Sequence, residues 1–168
     1  MGMEHTPHAQ NASCESVDYQ LLAAQVRAFA EGERLRMPVL ANVSALIMET
    51  LSDVSWAGFY LVDDGGELVL GPFQGKVACM RIGWGRGVCG TAAERDETQL
   101  VPDVHAFPGH IACDSASRSE VVVPIHEGGR VTGVLDLDST SPARFSDADA
   151  AGLETVVAAL EEVLVDLA

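Results

Sequence analysis

The chain has 168 residues, 25 of them acidic and 10 basic, for a formal net charge of −15 at pH 7. That charge opposes binding to DNA, RNA or an anionic membrane. With 48% hydrophobic and 21% charged residues, the chain can bury a sizeable core and is not of the disordered class. No apolar run reaches the ~20 residues a spanning helix needs.

Residues 1–17 are polar, with no basic stretch leading into an apolar one. They read as a loose tail rather than a secretory signal, and the protein is expected in the cytoplasm. From Tyr19 the pattern turns helical, with Leu22, Val26 and Phe29 at spacings of four and three, and Gly32 ends it. Pro38 suits the first turn of a second helix, where a missing N–H costs little. Leu40, Val43, Leu46, Ile47 and Leu51 form its apolar stripe.

From Val54 the period changes. Residues 56–62 (WAGFYLV) and 67–70 read as strands around the turn Asp63-Asp64-Gly65-Gly66. Residues 71–87, rich in glycine, read as loop plus strand, and 88–95 as a short helix. Residues 98–114 carry Pro102, Pro108 and Gly109 and read as one long ordered loop, the kind of segment that often carries function. Residues 120–125 (EVVVPI) form a buried strand, 126–129 a turn and 131–137 (VTGVLDL) its hairpin partner. Ser146 with Asp149 three residues on marks a helix start, followed by the apolar face Leu153, Val156, Val157, Leu160, Val163, Leu164 and Leu167. This order predicts an α+β fold, an antiparallel sheet with helices packed on it, in one domain over residues 18–168.

The chemistry concentrates in residues 76–144, where nine acidic and seven basic residues nearly balance. Of four cysteines (Cys14, Cys79, Cys89 and Cys113) no two have C-x-x-C spacing, and four are too few for a disulfide scaffold. Cys89, at the expected start of a helix, lies at the positive end of the dipole, which favours the thiolate. Cys79 stands between Lys76 and Arg81, whose charges favour it too, and Cys113 sits in the long loop. Three readings stay open. The thiols are inert core residues; or Cys79, Cys89 and Cys113 ligate zinc with His105 or His110, at spacings that match no short zinc motif; or two of them form a redox pair, one attacking an electrophilic atom to become a sulfenic acid and the other condensing with it.

Asp136 and Asp138, two apart on a strand, face one side of the sheet, while Leu135 and Leu137 face the other. Glu120 begins the partner strand. Three converging carboxylates suit an ammonium group, or supply a general acid; the alternative is a solvated acidic face. Trp56 and Tyr60, four apart on a strand, share a side as core or as an aromatic wall.

The segments GPFQGKVACMRI, GRGVCGTAAE, VPDVHAFPGHIACDSASRSEVVVPI and GVLDLDS together resemble the free methionine-(R)-sulfoxide reductases, enzymes with a GAF fold, over the chain from about Tyr19 onward. The resemblance implies a GAF-like domain with an antiparallel six-stranded sheet flanked by helices, and a homodimer. It implies reduction of free methionine-(R)-sulfoxide, with thioredoxin as the reductant and no metal or cofactor. Carried over by motif, Cys113 is the attacking thiol, Cys79 the resolving one and Cys89 a third thiol able to join disulfide exchange. Glu120, Asp136 and Asp138 are then substrate-binding and proton-donating carboxylates, and Trp56 and Tyr60 surround the methyl end. Cys14 matches no motif. A ligand-binding GAF module without chemistry is the competing reading, against which an acidic pocket would repel a phosphate.

Overall fold

The strand Arg130–Ser139 states the plan of the molecule in its side-chain alternation. We describe a computed structural model of the chain, covering residues 17–111 and 113–168; Cys14 and all but the last residue of the expected tail lie outside the described residues. The elements run α1 (Tyr19–Ala30), α2 (Arg36–Thr50), β1 (Trp56–Val62), β2 (Leu68–Gln74), β3 (Arg81–Ile82), α3 (Gly87–Arg95), β4 (Gln99–Val101), a 3₁₀ turn (Val104–Ala106), β5 (Ser119–Glu127), β6 (Arg130–Ser139) and α4 (Asp147–Leu164). The six strands form one antiparallel sheet in the order β3-β2-β1-β6-β5-β4.

Leu135 and Leu137 of β6 point into a core with Ala57 and Phe59 of β1 and Val121, Val123 and Ile125 of β5. Helices α1, α2 and α4 cover that face with Leu22 and Val26, Val43 and Ile47, and Leu153, Val156 and Leu160. Each such side chain contributes about 1.5–3 kcal/mol of burial. The helices start as the sequence indicates. Asp18 caps α1 by accepting from the Leu21 N–H at 3.0 Å, Pro38 lies in the first turn of α2, and Ser146 and Asp149 form a reciprocal capping box on α4. Gly152 in mid-α4 carries no Cβ because the Tyr19 ring lies in that space; the Tyr19 hydroxyl donates to Asp149 Oδ1.

The other face holds Trp56, Tyr60, Val122 and Val134, packed against Val88 and Ala92 of α3 with Ile82 and Val104. Three expectations are corrected here. The 98–114 loop contains β4, which pairs with β5, and the 3₁₀ turn, where the Asp103 side chain accepts from the His105 N–H. The second strand runs to Gln74 rather than ending at Leu70. The β5–β6 turn shortens to Gly128-Gly129, both at positive φ as a tight hairpin demands; His126 and Glu127 are strand residues. Among the described residues no helix is long and apolar enough to cross a membrane.

Candidate active site

On the α3 face the polar half of the strand alternation converges. Asp138 pairs across the ladder with Glu120 on one side and Trp56 on the other, and Asp136 with Val122 and Gly58. Tyr60 lies two repeats of the pleat beyond Trp56 on β1 and stacks with it at 6.0 Å between ring centroids. Trp56, Tyr60, Glu120, Asp136 and Asp138 line one cavity with Cys89 from α3, Val77 and Ala78 from the β2–β3 connection, and His110, Ile111, Cys113 and Asp114 from the segment before β5. The eight residues to which the resemblance gave a role therefore belong to one place: seven line the cavity, and Cys79 joins it through its disulfide to Cys113.

The floor is a group of neighbouring carboxyls shielded from solvent. Glu120 and Asp136 are 6% and 5% exposed. Burial first, and then their mutual repulsion and that of Asp138, push the Glu120 carboxyl well above the usual carboxylate range. Burial and Asp138 do the same to Asp136. Asp138, whose carboxylate form is helped by the Ser117 hydroxyl, is still pushed up to about 6 by burial. Such a set keeps its protons to higher pH than ordinary carboxyls do, as a general acid requires. One oxygen of Asp136, Oδ1, is buried without a hydrogen-bond partner.

The thiols divide into two states. Cys79 and Cys113 are joined in a disulfide, with Cα atoms 5.5 Å apart. With those two sulfurs bonded to each other, the zinc shell of three thiols does not assemble in this state. Cys89 is free and buried. It is the third residue of α3, where a helix start was expected, but its thiol is not activated there. Burial raises its pKa, and the Asp136 and Glu120 carboxyls add to the rise. A helix terminus is worth about 0.3–1 kcal/mol, whereas full burial moves a pKa by several units, so burial decides. The charges beside Cys79 are also taken: Lys76 pairs with Asp114 at 3.0 Å, and Arg81 with Asp63 at 2.7 Å and Glu67 at 3.2 Å.

Backbone contacts hold the Cys79 segment over the cavity. The Trp56 indole N–H donates to the Lys76 carbonyl at 3.1 Å, and the Tyr60 hydroxyl donates to the Cys79 carbonyl at 2.9 Å. Thus the aromatic wall also anchors the segment that carries a disulfide sulfur. His110, considered only as a zinc ligand from the sequence, faces Glu120 with Nε2 3.9 Å from Oε2; burial and His105 lower its pKa, so it is neutral at pH 7. His105 does not line the cavity. Ser117, buried at 4% exposure, carried no signal beyond its place in the HIACDSASRSE run. Among the described residues, the one group of donor atoms close enough for a metal is Cys89, Glu120 and Asp136, with one such atom from each lying within 4.8 Å of the others.

Residues 39–165 match the GAF domain family. The chain is 54% identical over 146 residues to the free methionine-R-sulfoxide reductase of Escherichia coli, an alignment spanning 87% of this chain and 88% of that one. It is 43% identical over 158 residues to the free methionine-R-sulfoxide reductase of Saccharomyces cerevisiae, spanning 90% and 87%. The fold superposes on the free methionine-R-sulfoxide reductase of Neisseria meningitidis, solved in complex with its substrate, at a TM-score of 0.82 and 46% identity, covering 86% of this chain and 87% of that one.

Proposed function

The chain belongs to the free methionine-R-sulfoxide reductases of the GAF domain family, and from that premise we propose that it reduces free L-methionine-(R)-S-oxide to methionine by thiol chemistry at the cavity between β1, β5, β6 and α3. The observation that carries the reading is the juxtaposition of a Cys79–Cys113 disulfide with three buried carboxyls, each pushed above the ordinary carboxylate range, in one cavity.

In the proposed cycle the substrate ammonium pairs with the carboxylate set, and its methyl end packs on Trp56 and Tyr60. The Cys113 sulfur attacks the sulfoxide sulfur while a protonated carboxyl donates to the oxygen. The new S–S bond forms as the S–O bond breaks and its oxygen leaves as water. A water molecule then attacks the Cys113 sulfur, the S–S bond breaks with its electron pair going to the departing methionine, and Cys113 becomes a sulfenic acid. Cys79 then displaces that hydroxyl as water, forming the disulfide, which is the state described here. An external dithiol, thioredoxin in our reading, takes up the oxidising equivalents by exchange and restores both thiols. Cys89 stands by as a third thiol for exchange. No metal or organic cofactor takes part in this cycle. The enzyme is taken as a cytoplasmic homodimer with one catalytic domain over residues 18–168.

The test is turnover on the two diastereomers of methionine sulfoxide, each as the free amino acid and within a peptide, with dithiothreitol as reductant. Activity confined to the free R diastereomer is expected. Equal activity on the peptide, or none on either free diastereomer, would overturn the reading.

A further inference from the structure

Cys89 stands outside the disulfide, and its surroundings are a ligand set. Its Sγ lies 3.9 Å from Glu120 Oε1. Donor atoms of Cys89, Glu120 and Asp136 lie within 4.8 Å of one another, and His110 Nε2 stands 3.9 Å from the second Glu120 oxygen. The Asp136 Oδ1 adds an independent observation: a buried oxygen, on a cavity-lining side chain, without a hydrogen-bond partner of its own. Unsatisfied buried acceptors are uncommon, because each costs about 1–3 kcal/mol.

A tetrahedral zinc ion holds sulfur at about 2.3 Å and nitrogen or carboxylate oxygen at about 2.0–2.2 Å, so its ligand atoms stand about 3.5 Å apart. The Cys89, Glu120 and Asp136 atoms, up to 4.8 Å apart, have to draw in to reach that spacing, and His110, beside Glu120, has to turn toward them. Its members come from three elements, α3, β5 and β6, with His110 on the segment before β5, so chelation draws together parts that packing already holds. Calcium and magnesium prefer six or more oxygen ligands, and the thiol selects against them.

We propose that Cys89, Glu120 and Asp136, with His110 as fourth ligand, form a site for a thiophilic divalent cation of the zinc class, and that the bound ion closes the cavity to substrate. The closure rests on the assignment of this cavity to the substrate; the ion site does not. Binding is coordination without electron transfer. The thiol and any protonated carboxyl release their protons to solvent, so affinity rises with pH. Because neither Cys79 nor Cys113 is a ligand, the site exists in the disulfide state.

The experiment titrates Zn²⁺ by calorimetry, and Co²⁺ by absorbance, into the full chain with its disulfide intact. One equivalent per chain and a thiolate-to-cobalt charge-transfer band are expected. Cys89→Ser removes the band, and Asp136→Asn weakens binding by about ten-fold or more. No binding, or a cobalt form without the charge-transfer band, overturns the site. The band is read in the unaltered protein, so a substituted chain that fails to fold leaves the test decided. Adding free methionine-(R)-sulfoxide should lower cobalt occupancy, and an unchanged band overturns the closure. Cobalt binding with no turnover of either free diastereomer would sink the reductase reading and leave the ion site standing.

Discussion

The two faces of the sheet are written by alternate residues of the same strands, and they meet opposite demands. On the helix-covered face, Leu135 and Leu137 lie fully buried among aliphatic and aromatic neighbours. On the α3 face, one residue out of phase, Asp136 and Asp138 crowd a third carboxylate and a thiol. The first arrangement lowers the free energy of the fold through each contact. The second raises it, since Glu120 and Asp138 sit directly opposite each other on adjacent strands, where like charges repel. A strand fixed by its apolar side can hold groups on the other side in protonation states that water would not allow.

The sharpest break of this comparison removes chemistry and leaves packing intact. Cys113→Ser is expected to lower turnover by at least about 10³-fold with little change in melting temperature under reducing conditions. Cys79→Ser should release about one methionine per chain and then stop, as an attacker without its partner must. Quenched-flow measurement of methionine separates the two; normal turnover in the Cys113 variant would refute its assignment as the attacker.

A matched pair of substitutions on β6 tests the two faces together. Leu135→Ala opens a cavity in the helix-covered core and should cost about 2–5 kcal/mol, while kcat per folded molecule stays near its original value. Asp136→Leu removes a desolvated carboxyl and is expected to raise stability by about 1 kcal/mol or more, with kcat/KM falling about 10²-fold or further. Urea unfolding and initial rates on both variants give the four numbers. If both variants lose stability alike, the α3 face is not the strained one.

The pH dependence of stability should carry the same signature. Asp138 has a folded pKa of about 6 against an ordinary value of 3.8. Between those values the unfolded chain has released its proton and the folded chain still holds one. Stability therefore falls as pH rises through that window, by about 2–3 kcal/mol from this group. Glu120 and Asp136, raised by the same burial, extend the fall to higher pH. At the far end of the sheet His126 bridges Asp96 and Glu161, and these partners raise its pKa. Its contribution is present at low pH and fades above its ordinary value of 6.5, in the same direction at a later stage. Asp138→Asn should flatten the early part of the curve and His126→Ala the late part. A curve that rises between pH 4 and 6 and keeps its shape in Asp138→Asn would contradict the strained face.

How far the sequence foretold this depends on distance along the chain. Strand alternation is local, so the shared face of Asp136 and Asp138, the opposite face of Leu135 and Leu137, and the common side of Trp56 and Tyr60 were all legible. So was the capping box of α4. The extension of β2 through Gly71-Pro72 was not, because proline argues against a strand interior. It is tolerated where β3, which pairs only with Leu68 and Val69, leaves β2 an open edge. Likewise β4 is three residues long and exists through its pairing with β5. The acidity of the Cys89 thiol was misjudged for the same reason. The helix start beside Cys89 is a local fact, but the carboxyls that raise its pKa come from residues 31 and 47 positions away. Lys76 and Arg81 looked like free charges because their partners are distant in sequence.

The smallest effect probes the lid of the strained face. The Cys79 segment is tied to the Cys113 segment by the disulfide and by the Lys76–Asp114 ion pair, with Lys76 largely exposed. An exposed pair contributes about 0.2–1 kcal/mol at most, so Lys76→Gln should leave stability within error. Yet once the disulfide is reduced, this ion pair remains as a polar tie between the two segments. Its loss should slow disulfide closure after the first turnover by a few-fold at low salt, and high salt should slow the unaltered protein to the same rate. The backbone hydrogen bonds from Trp56 and Tyr60 persist in the variant and set a floor on the effect. A variant that closes at the original rate at every salt concentration would assign the segment's position to those two hydrogen bonds alone, placing control of the lid within the aromatic wall.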